Sequence, residues 1–303
     1  MTDNEAKARA KLAEAEKKAK KGGFLGFLSS TSPDEIADLY IQAGNLFKIA
    51  KKWKEAGQAF ERAAGSYDAD GKHNTAMQYG EAGNCYRKVD PEKAVESILR
   101  AAEIYTDMGR FTMAAKNHTT VAEIYDSEAP NKEKAMEHYA KAADFYKGEE
   151  QRSTATKSLE KVGAYAAELG QLRKAIETFE EIAVWQADHS TLKYAAKNNF
   201  FKALLCYLNL DALDTQHALK RYEDQSPSFS ESRECKLIKE LVTAIEAGDA
   251  DGFSDAVKQY DKISRLDDWA THMLLQAKKK IPGAAADSSH PAPVGDLEEG
   301  DLC

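Results

Sequence analysis

Cysteine is scarce in this chain: four in 303 residues (Cys85, Cys206, Cys235 and Cys303), with no C-x-x-C pair among them. That excludes a disulfide framework and a cysteine-based zinc site, and points to a reducing compartment. Long apolar runs are missing as well. No stretch approaches the ~18 apolar residues a membrane span needs, and residues 1–21 hold an Ala/Lys/Glu mixture where a signal peptide would carry its apolar core. The phosphate-cradling glycine loops G-x4-G-K-[ST] and G-x-G-x-x-G do not occur, and the seven histidines are scattered without an H-E-x-x-H pair. Carboxylates are so abundant that no acid/base pair stands out. The chain therefore reads as a cytoplasmic protein that is not an enzyme, with no metal and no cofactor.

Basic charge is in deficit too. Lys and Arg number 42 against 50 Asp and Glu, a net −8, which argues against a nucleic-acid partner. The deficit is uneven. Residues 1–23 carry seven basic and four acidic groups (+3), and residues 282–303 carry five acidic groups and no Lys or Arg. A basic head and an acidic tail suggest a different partner at each end.

Alternation of the kind strands require is nearly absent, whereas apolar residues recur at three and four, as in Ile36, Leu39, Tyr40, Ala43 and Phe47. The chain is all-α. Ser32-Pro33-Asp34-Glu35 and Asp90-Pro91-Glu92 read as helix starts, with a capping side chain followed by proline at the first helical position. A turn-following signature recurs around Ala56, Ala94, Ala135 and Ala175, spaced 38, 41 and 40 residues. A second signature, Ala-Glu-Ile-Tyr at 102–105 and 122–125 and Ala-Asp-Phe-Tyr at 143–146, steps by about twenty. A ~40-residue period built from two ~20-residue helices predicts a TPR-like helical-hairpin solenoid, a twisted sheet of antiparallel helices. Small residues (Ala43, Gly44, Ala56, Gly57, Ala82, Gly83) would let paired helices approach, with aromatics filling the gaps. The three tryptophans, Trp53, Trp185 and Trp269, lack the regular spacing of the helical-repeat prenyltransferase subunits. Four segments follow: 1–31, a basic helix and an apolar loop; 32–211, the solenoid; 212–281, a C-terminal helical bundle; and 282–303, an acidic tail.

Three features stand out. Phe24-Leu25-Gly26-Phe27-Leu28 follows Lys17, Lys18, Lys20 and Lys21 and reads as a loop, either touching anionic lipid or folded on the first helix pair. Basic residues recur at corresponding points of the repeats (Lys51, Arg87, Lys88, Arg110, Lys116, Lys157, Lys161, Lys193, Lys197) and form either a stripe for an acidic elongated partner or a solvated face. The terminus Asp296–Cys303 is acidic with two leucines, and composition alone describes it as a solubilising tail.

The run Arg100-Ala101-Ala102-Glu103-Ile104-Tyr105-Thr106-Asp107-Met108-Gly109-Arg110-Phe111-Thr112, with Ala114-Ala115-Lys116, resembles the soluble NSF attachment proteins. So do Ala143–Glu150, Leu192-Lys193-Tyr194, Ser232–Leu237, Ser264–Asp267 and Met273-Leu274-Leu275. The apolar loop and the Asp-Leu ending resemble the alpha/beta type. The resemblance implies an adaptor that binds the SNARE complex (syntaxin, SNAP-25-like and synaptobrevin-like helices) and recruits and stimulates the hexameric AAA+ ATPase NSF. It implies SNARE contacts at Lys51, Arg87, Lys88, Arg110, Lys116, Lys157, Lys161, Tyr194, Lys197 and Arg233, and membrane contact at Phe24, Leu25, Phe27 and Leu28. Asp211, Glu246, Asp301 and Leu302 would serve NSF. Thr243 and Ala247 stand where the family carries acidic residues, and the Pro/Ala/Ser-rich 283–295 and Cys303 also depart from its pattern. The alternative is a repeat scaffold for coat or peptide partners without an ATPase.

Overall fold

The computed structural model describes residues 3–24 and 32–282. Its described residues are helical and contain no strand. The chain divides into two compact units, 1–169 and 170–303. The expected border at 211/212 falls inside the second unit, at the step into the helix that begins at Ala212.

The first unit contains α1 (Asp3–Phe24), α2 (Pro33–Ile49), α3 (Trp53–Ala64), a short 3-10 turn (Ala69–Gly71), α4 (Lys72–Tyr86), α5 (Pro91–Asp107), α6 (Phe111–Ser127), α7 (Lys132–Gly148) and α8 (Arg152–Glu168). Each helix packs on the next, and from α2 onward the connections are short, so neighbours run antiparallel as TPR-like hairpins. The starts are local chemistry. Ser32 accepts the Glu35 N–H at 3.2 Å, Asp90 that of Lys93 at 3.1 Å, and Asn131 that of Lys134 at 2.9 Å. Several ends need a left-handed residue. Gly109 supplies it with φ +67°, but Lys51 (φ 56°) and Glu150 (φ 58°) adopt the same conformation despite their side chains.

The seams between helices are built from small residues. A Cβ on Gly57 would lie 2.6 Å from the Tyr86 ring, one on Gly83 2.3 Å from Ile98, and one on Gly44 2.9 Å from Phe60. Ala43, Ala56, Ala59, Ala82 and Ala94 share a core with Phe47, Phe60, Tyr86 and Ile98. The missing side chains bring the backbones close enough for the larger ones to fill the seam.

Ion pairs show which helices lie side by side. Lys48 of α2 meets Glu81 of α4 at 2.8 Å, Arg87 at the end of α4 meets Glu128 at the end of α6 at 2.7 Å, and Lys161 of α8 meets Asp126 of α6 at 3.4 Å. Even-numbered helices thus neighbour one another. Lys93 of α5 and Glu61 of α3, at 3.5 Å, do the same for odd ones.

One expectation needs correction. Gly22, Gly23 and Phe24 belong to α1 rather than to a loop. The Ala/Lys/Glu-rich sequence before them is strongly helix-forming, and α1 is held to α2 and α3 by Lys18–Glu35 and Arg62–Glu16 ion pairs. That framework carries the helix across two glycines, each costing about 1 kcal/mol. Leu25, Phe27 and Leu28 lie outside the described residues.

The second unit contains α9 (Leu172–Ala187), α10 (Lys193–Leu208), α11 (Ala212–Gln225), α12 (Pro227–Ser230), α13 (Arg233–Ala247), α14 (Ala250–Asp261) and α15 (Asp268–Lys278). It is a bundle around α10, which packs against α9, α11, α12, α13 and α15. α10 is accordingly buried on most sides, through Phe200, Phe201, Ala203, Leu204, Leu205 and Cys206. Phe200 packs at a tilt against Tyr222, with ring centroids 4.5 Å apart, and against Phe229 at 5.7 Å.

A histidine pair, His138 buried and His118 partly so, joins α6 to α7. The His118 and His138 Nδ1 atoms are 3.1 Å apart, and Phe145 and Tyr125 stack on the two rings. Burial, then the neighbouring His138 and Lys141, push the His118 pKa down to about 4, and burial lowers that of His138 as well.

Two predictions come from these contacts. Gly57→Ala and Gly83→Ala should each cost about 1–3 kcal/mol by overpacking. Gly80→Ala, where a Cβ meets nothing within 4 Å, should stabilise by about 0.5–1 kcal/mol; chemical denaturation of the three variants measures both. The histidine pair takes up protons more readily when unfolded, so its stability is complete above the ordinary histidine pKa near 6.5 and is lost as pH falls towards 4. The thermal midpoint should drop between pH 7 and pH 5, and His118→Phe/His138→Phe should flatten that drop in a pH series.

Candidate partner-binding surface

Seven of the cations singled out in the sequence lie in the first unit. Lys51 occupies the left-handed position of the α2–α3 turn, and Arg87 and Lys88 follow α4 directly. α2 and α4 run in the same direction, so these three share the end of the unit where the α6–α7 turn also lies. Arg110 precedes α6, at the opposite end. Lys116 stands on α6, and Lys157 and Lys161 on α8, which are neighbouring even-numbered helices. Apart from Lys51 and Arg110, which sit in turns, these cations belong to even-numbered helices or their ends.

The structure sorts the set by what each charge already does. Lys51, Lys88, Arg110, Lys116 and Lys157 are exposed, and among the described residues no carboxylate pairs with them. Arg87 is engaged: it binds Glu128 at 2.7 Å, has Glu123 at 3.9 Å, and keeps only a quarter of its side chain exposed. Lys161 is intermediate. It reaches Asp126 at 3.4 Å and lies over the Tyr165 ring at 5.6 Å, yet remains about half exposed.

Asp126 itself is a pin between helices. It accepts hydrogen bonds from Tyr139 Oη at 2.9 Å and Tyr165 Oη at 2.7 Å. Glu61 repeats the arrangement, accepting from Tyr86 Oη at 2.8 Å and Ser97 Oγ at 3.1 Å. Burial first, and then the carboxylate neighbour, raises the hydroxyl pKa of Tyr86, Tyr139 and Tyr165, so these phenols stay protonated donors.

In the second unit, Tyr194 is two-thirds exposed, with the Lys193 ammonium over its ring at 5.2 Å. Lys197 and Arg233 are both occupied. Lys197 pairs with Glu234 at 3.2 Å, Tyr260 Oη donates to the same carboxylate at 3.2 Å, and Arg233 donates to Ser264 Oγ at 2.9 Å while lying over the Tyr260 ring. Burial opposes the ionised Glu234, but the backbone N–H at the helix start, Lys197 and Tyr260 outweigh it and hold its carboxyl below the ordinary range.

The acidic positions are also in this unit. Asp211 caps α11, accepting the Leu213 and Asp214 N–H groups at 2.8 and 3.0 Å. Glu246, near the end of α13, is exposed and hydrogen-bonded by Gln216 of α11, so the two helices bring Asp211 and Glu246 into one region. Thr243 and Ala247 are exposed on the same helix, and Thr243 donates to the Lys239 carbonyl at 2.9 Å. Asp301 and Leu302 lie outside the described residues.

Sequence reasoning missed two apolar side chains beside the free cations. Ile49 is 65% exposed next to the Lys51 turn, and Val89 is 50% exposed next to Lys88. Ile49 is the last residue of α2, whereas Val89 lies three residues beyond the end of α4, so the two do not occupy equivalent points of the repeat and no repeat signal marks them. Among the described residues no group of three or more His, Cys, Asp or Glu could hold a metal, and no helix is long and apolar enough to cross a membrane.

The division into free and engaged cations has a measurable consequence. Lys197→Ala leaves a carboxylate that is only a tenth exposed without its cation and should cost about 1–3 kcal/mol. Lys157→Ala should stay within about 0.5 kcal/mol of the parent protein, as urea unfolding of both variants will report.

The family described as "Soluble NSF attachment protein, SNAP" matches residues 6–282. The chain is 48% identical over 287 residues to the alpha-soluble NSF attachment protein of Mus musculus, covering 93% of this chain and 97% of that protein. It is 49% identical over 276 residues to the beta-soluble NSF attachment protein of Bos taurus, covering 90% and 93%. The vesicular-fusion protein SEC17 of Komagataella phaffii is 34% identical over 278 residues, covering 89% and 94%. These are attachment and vesicular-fusion proteins by name, not enzymes. The chain belongs to the soluble NSF attachment protein family.

Proposed function

We propose that this chain is an adaptor in SNARE complex disassembly, binding the assembled four-helix bundle and recruiting and stimulating the ATPase NSF. The observation that carries this reading is the set of exposed, unpaired cations Lys51, Lys88, Arg110, Lys116 and Lys157 on a chain whose net charge is −8. Unpaired cations gathered on one unit of an acidic protein attract an acidic, rod-like partner, and because the contacts are exposed they weaken with salt. A bundle of syntaxin, SNAP-25-like and synaptobrevin-like helices has that chemistry.

Ile49 and Val89 add apolar area beside Lys51 and Lys88, which suits a partner presenting both acidic and apolar side chains. Arg87, Lys161, Lys197 and Arg233 serve this reading by holding the helices, with Lys161 and Tyr194 exposed enough to touch the partner as well. Asp211 and Glu246 offer the ATPase an acidic region, and Leu302 at the acidic tail stimulates it. Phe24, Leu25, Phe27 and Leu28, preceded by lysines, give peripheral contact with membranes at the cytoplasmic face. The four segments 1–31, 32–211, 212–281 and 282–303 then act as membrane contact, SNARE grip, ATPase platform and stimulating tail, with Asp211 at the border of the second and third serving the ATPase.

Disassembly of a SNARE complex on liposomes by NSF tests the reading. Lys116→Glu/Lys157→Glu should fold normally and lose disassembly at least tenfold, and Leu302→Ala should keep SNARE binding while losing ATPase stimulation. Undiminished disassembly by the double variant would sink the assignment of the grip.

A further inference from the structure

The second unit carries an apolar groove that none of the roles above uses. It lies between α14 and α15, has a volume of about 250 Å³, and is lined by Phe253, Val257, Leu274 and Leu275 together with Lys258 and Lys278. Leu275 is 53% exposed there, a large apolar side chain left uncovered. We propose that this groove is the seat of the chain's own Asp296–Leu302 segment, with Leu297 entering it and the flanking carboxylates meeting Lys258 and Lys278.

Charge complementarity selects this occupant. Leu297 stands between Asp296 on one side and Glu298 and Glu299 on the other, and residues 282–303 hold no Lys or Arg. The groove offers complementary chemistry, a mainly apolar lining that also includes two lysines. Neither lysine is strongly committed. The Lys258 contact to Asp255 is 3.5 Å long between two side chains that are each about two-thirds exposed or more, and among the described residues Lys278 makes no ion pair.

Chain length permits the seat. α15 ends at Lys278 and the described residues stop at 282. The fourteen residues from Gly283 to Val294, Gly295 and Asp296 span at most about 46–50 Å, whereas α15, with eleven residues, is only about 16 Å long. The segment can therefore reach any point of the groove, and a tethered ligand acts at an effective concentration that allows weak contacts to be occupied. Seating Leu297 would hold Leu302, five residues further on, close to the bundle. That consequence rests on the attachment reading; the docking itself does not.

The cysteines supply the probe. Cys85, Cys206 and Cys235 are buried, and burial pushes their thiols up to about 11, 12 and 11, so a nitroxide reagent will label Cys303 of the full chain selectively. With the label oxidised, the methyl NMR signals of Val257, Leu274 and Leu275 should lose at least half their intensity relative to the reduced label. They should recover in Leu297→Ser, in Lys258→Glu/Lys278→Glu and in 0.5 M salt. Broadening no stronger than at other methyls of residues 170–282, or selective broadening that persists in Leu297→Ser, would overturn the proposal. So would broadening confined to mixtures of labelled and unlabelled chains, which would make a second copy the occupant. These outcomes are independent of SNARE disassembly, so a failed adaptor assay and a failed docking are told apart.

Discussion

Close approach of neighbouring helix backbones is the constraint on which the first unit depends. Gly44, Gly57 and Gly83 stand where a single Cβ would overlap Phe60, Tyr86 and Ile98. The alanines around them have no exposed surface. A seam this tight allows one register. Once Tyr86 is wedged over Gly57, its hydroxyl meets Glu61 one turn along α3, and Glu61 in turn meets Ser97 and Lys93 of α5. Packing and polar contacts therefore specify the same alignment, as a foldable sequence requires.

That alignment governs where charge remains available. Carboxylates along the seams, Glu61, Asp126, Glu180 and Glu234, are partly or largely withdrawn from water, and each is met by tyrosines and cations. Glu180, for instance, receives Tyr207, Tyr222 and Arg221. Withdrawn carboxylates of this kind need partners, because an uncompensated one is costly. Exposed pairs such as Lys258–Asp255 contribute little. Cations beside these carboxylates are thus spent on the fold, while Lys51, Lys88, Arg110, Lys116 and Lys157 remain unpaired among the described residues. A chain of net charge −8 presents unpaired basic residues because of this division, and the total charge carries no information about it.

Much of the helical layout is legible from local chemistry. Ser32-Pro33 and Asp90-Pro91 begin helices where their capping side chains require, and the ~40-residue period returns as ion pairs 33 to 41 residues apart. Other points are not legible. A left-handed lysine at position 51 carries no sequence signal, because the conformation is imposed by the turn between two packed helices. Gly22 and Gly23 suggest a break, yet packing of α1 on its neighbours outweighs their low propensity. The placement of α9 and α10 in the second unit is equally invisible in the repeat signature around Ala175, since it comes from α10 packing against helices distant in sequence.

The all-helical class, the hairpin period, the helix starts and the recurring basic positions are written in the order of amino acids, because each depends on neighbours within about one turn or on a repeat in register. Which of those cations are free depends on contacts formed in the folded chain. Lys116 and Lys197 look alike along the chain, but one faces solvent and the other is held by a largely buried Glu234. The same holds for Ile49 and Val89, apolar residues whose exposure follows from the turns they flank. Burial and pairing are properties of contacts between distant segments, and no local pattern encodes them.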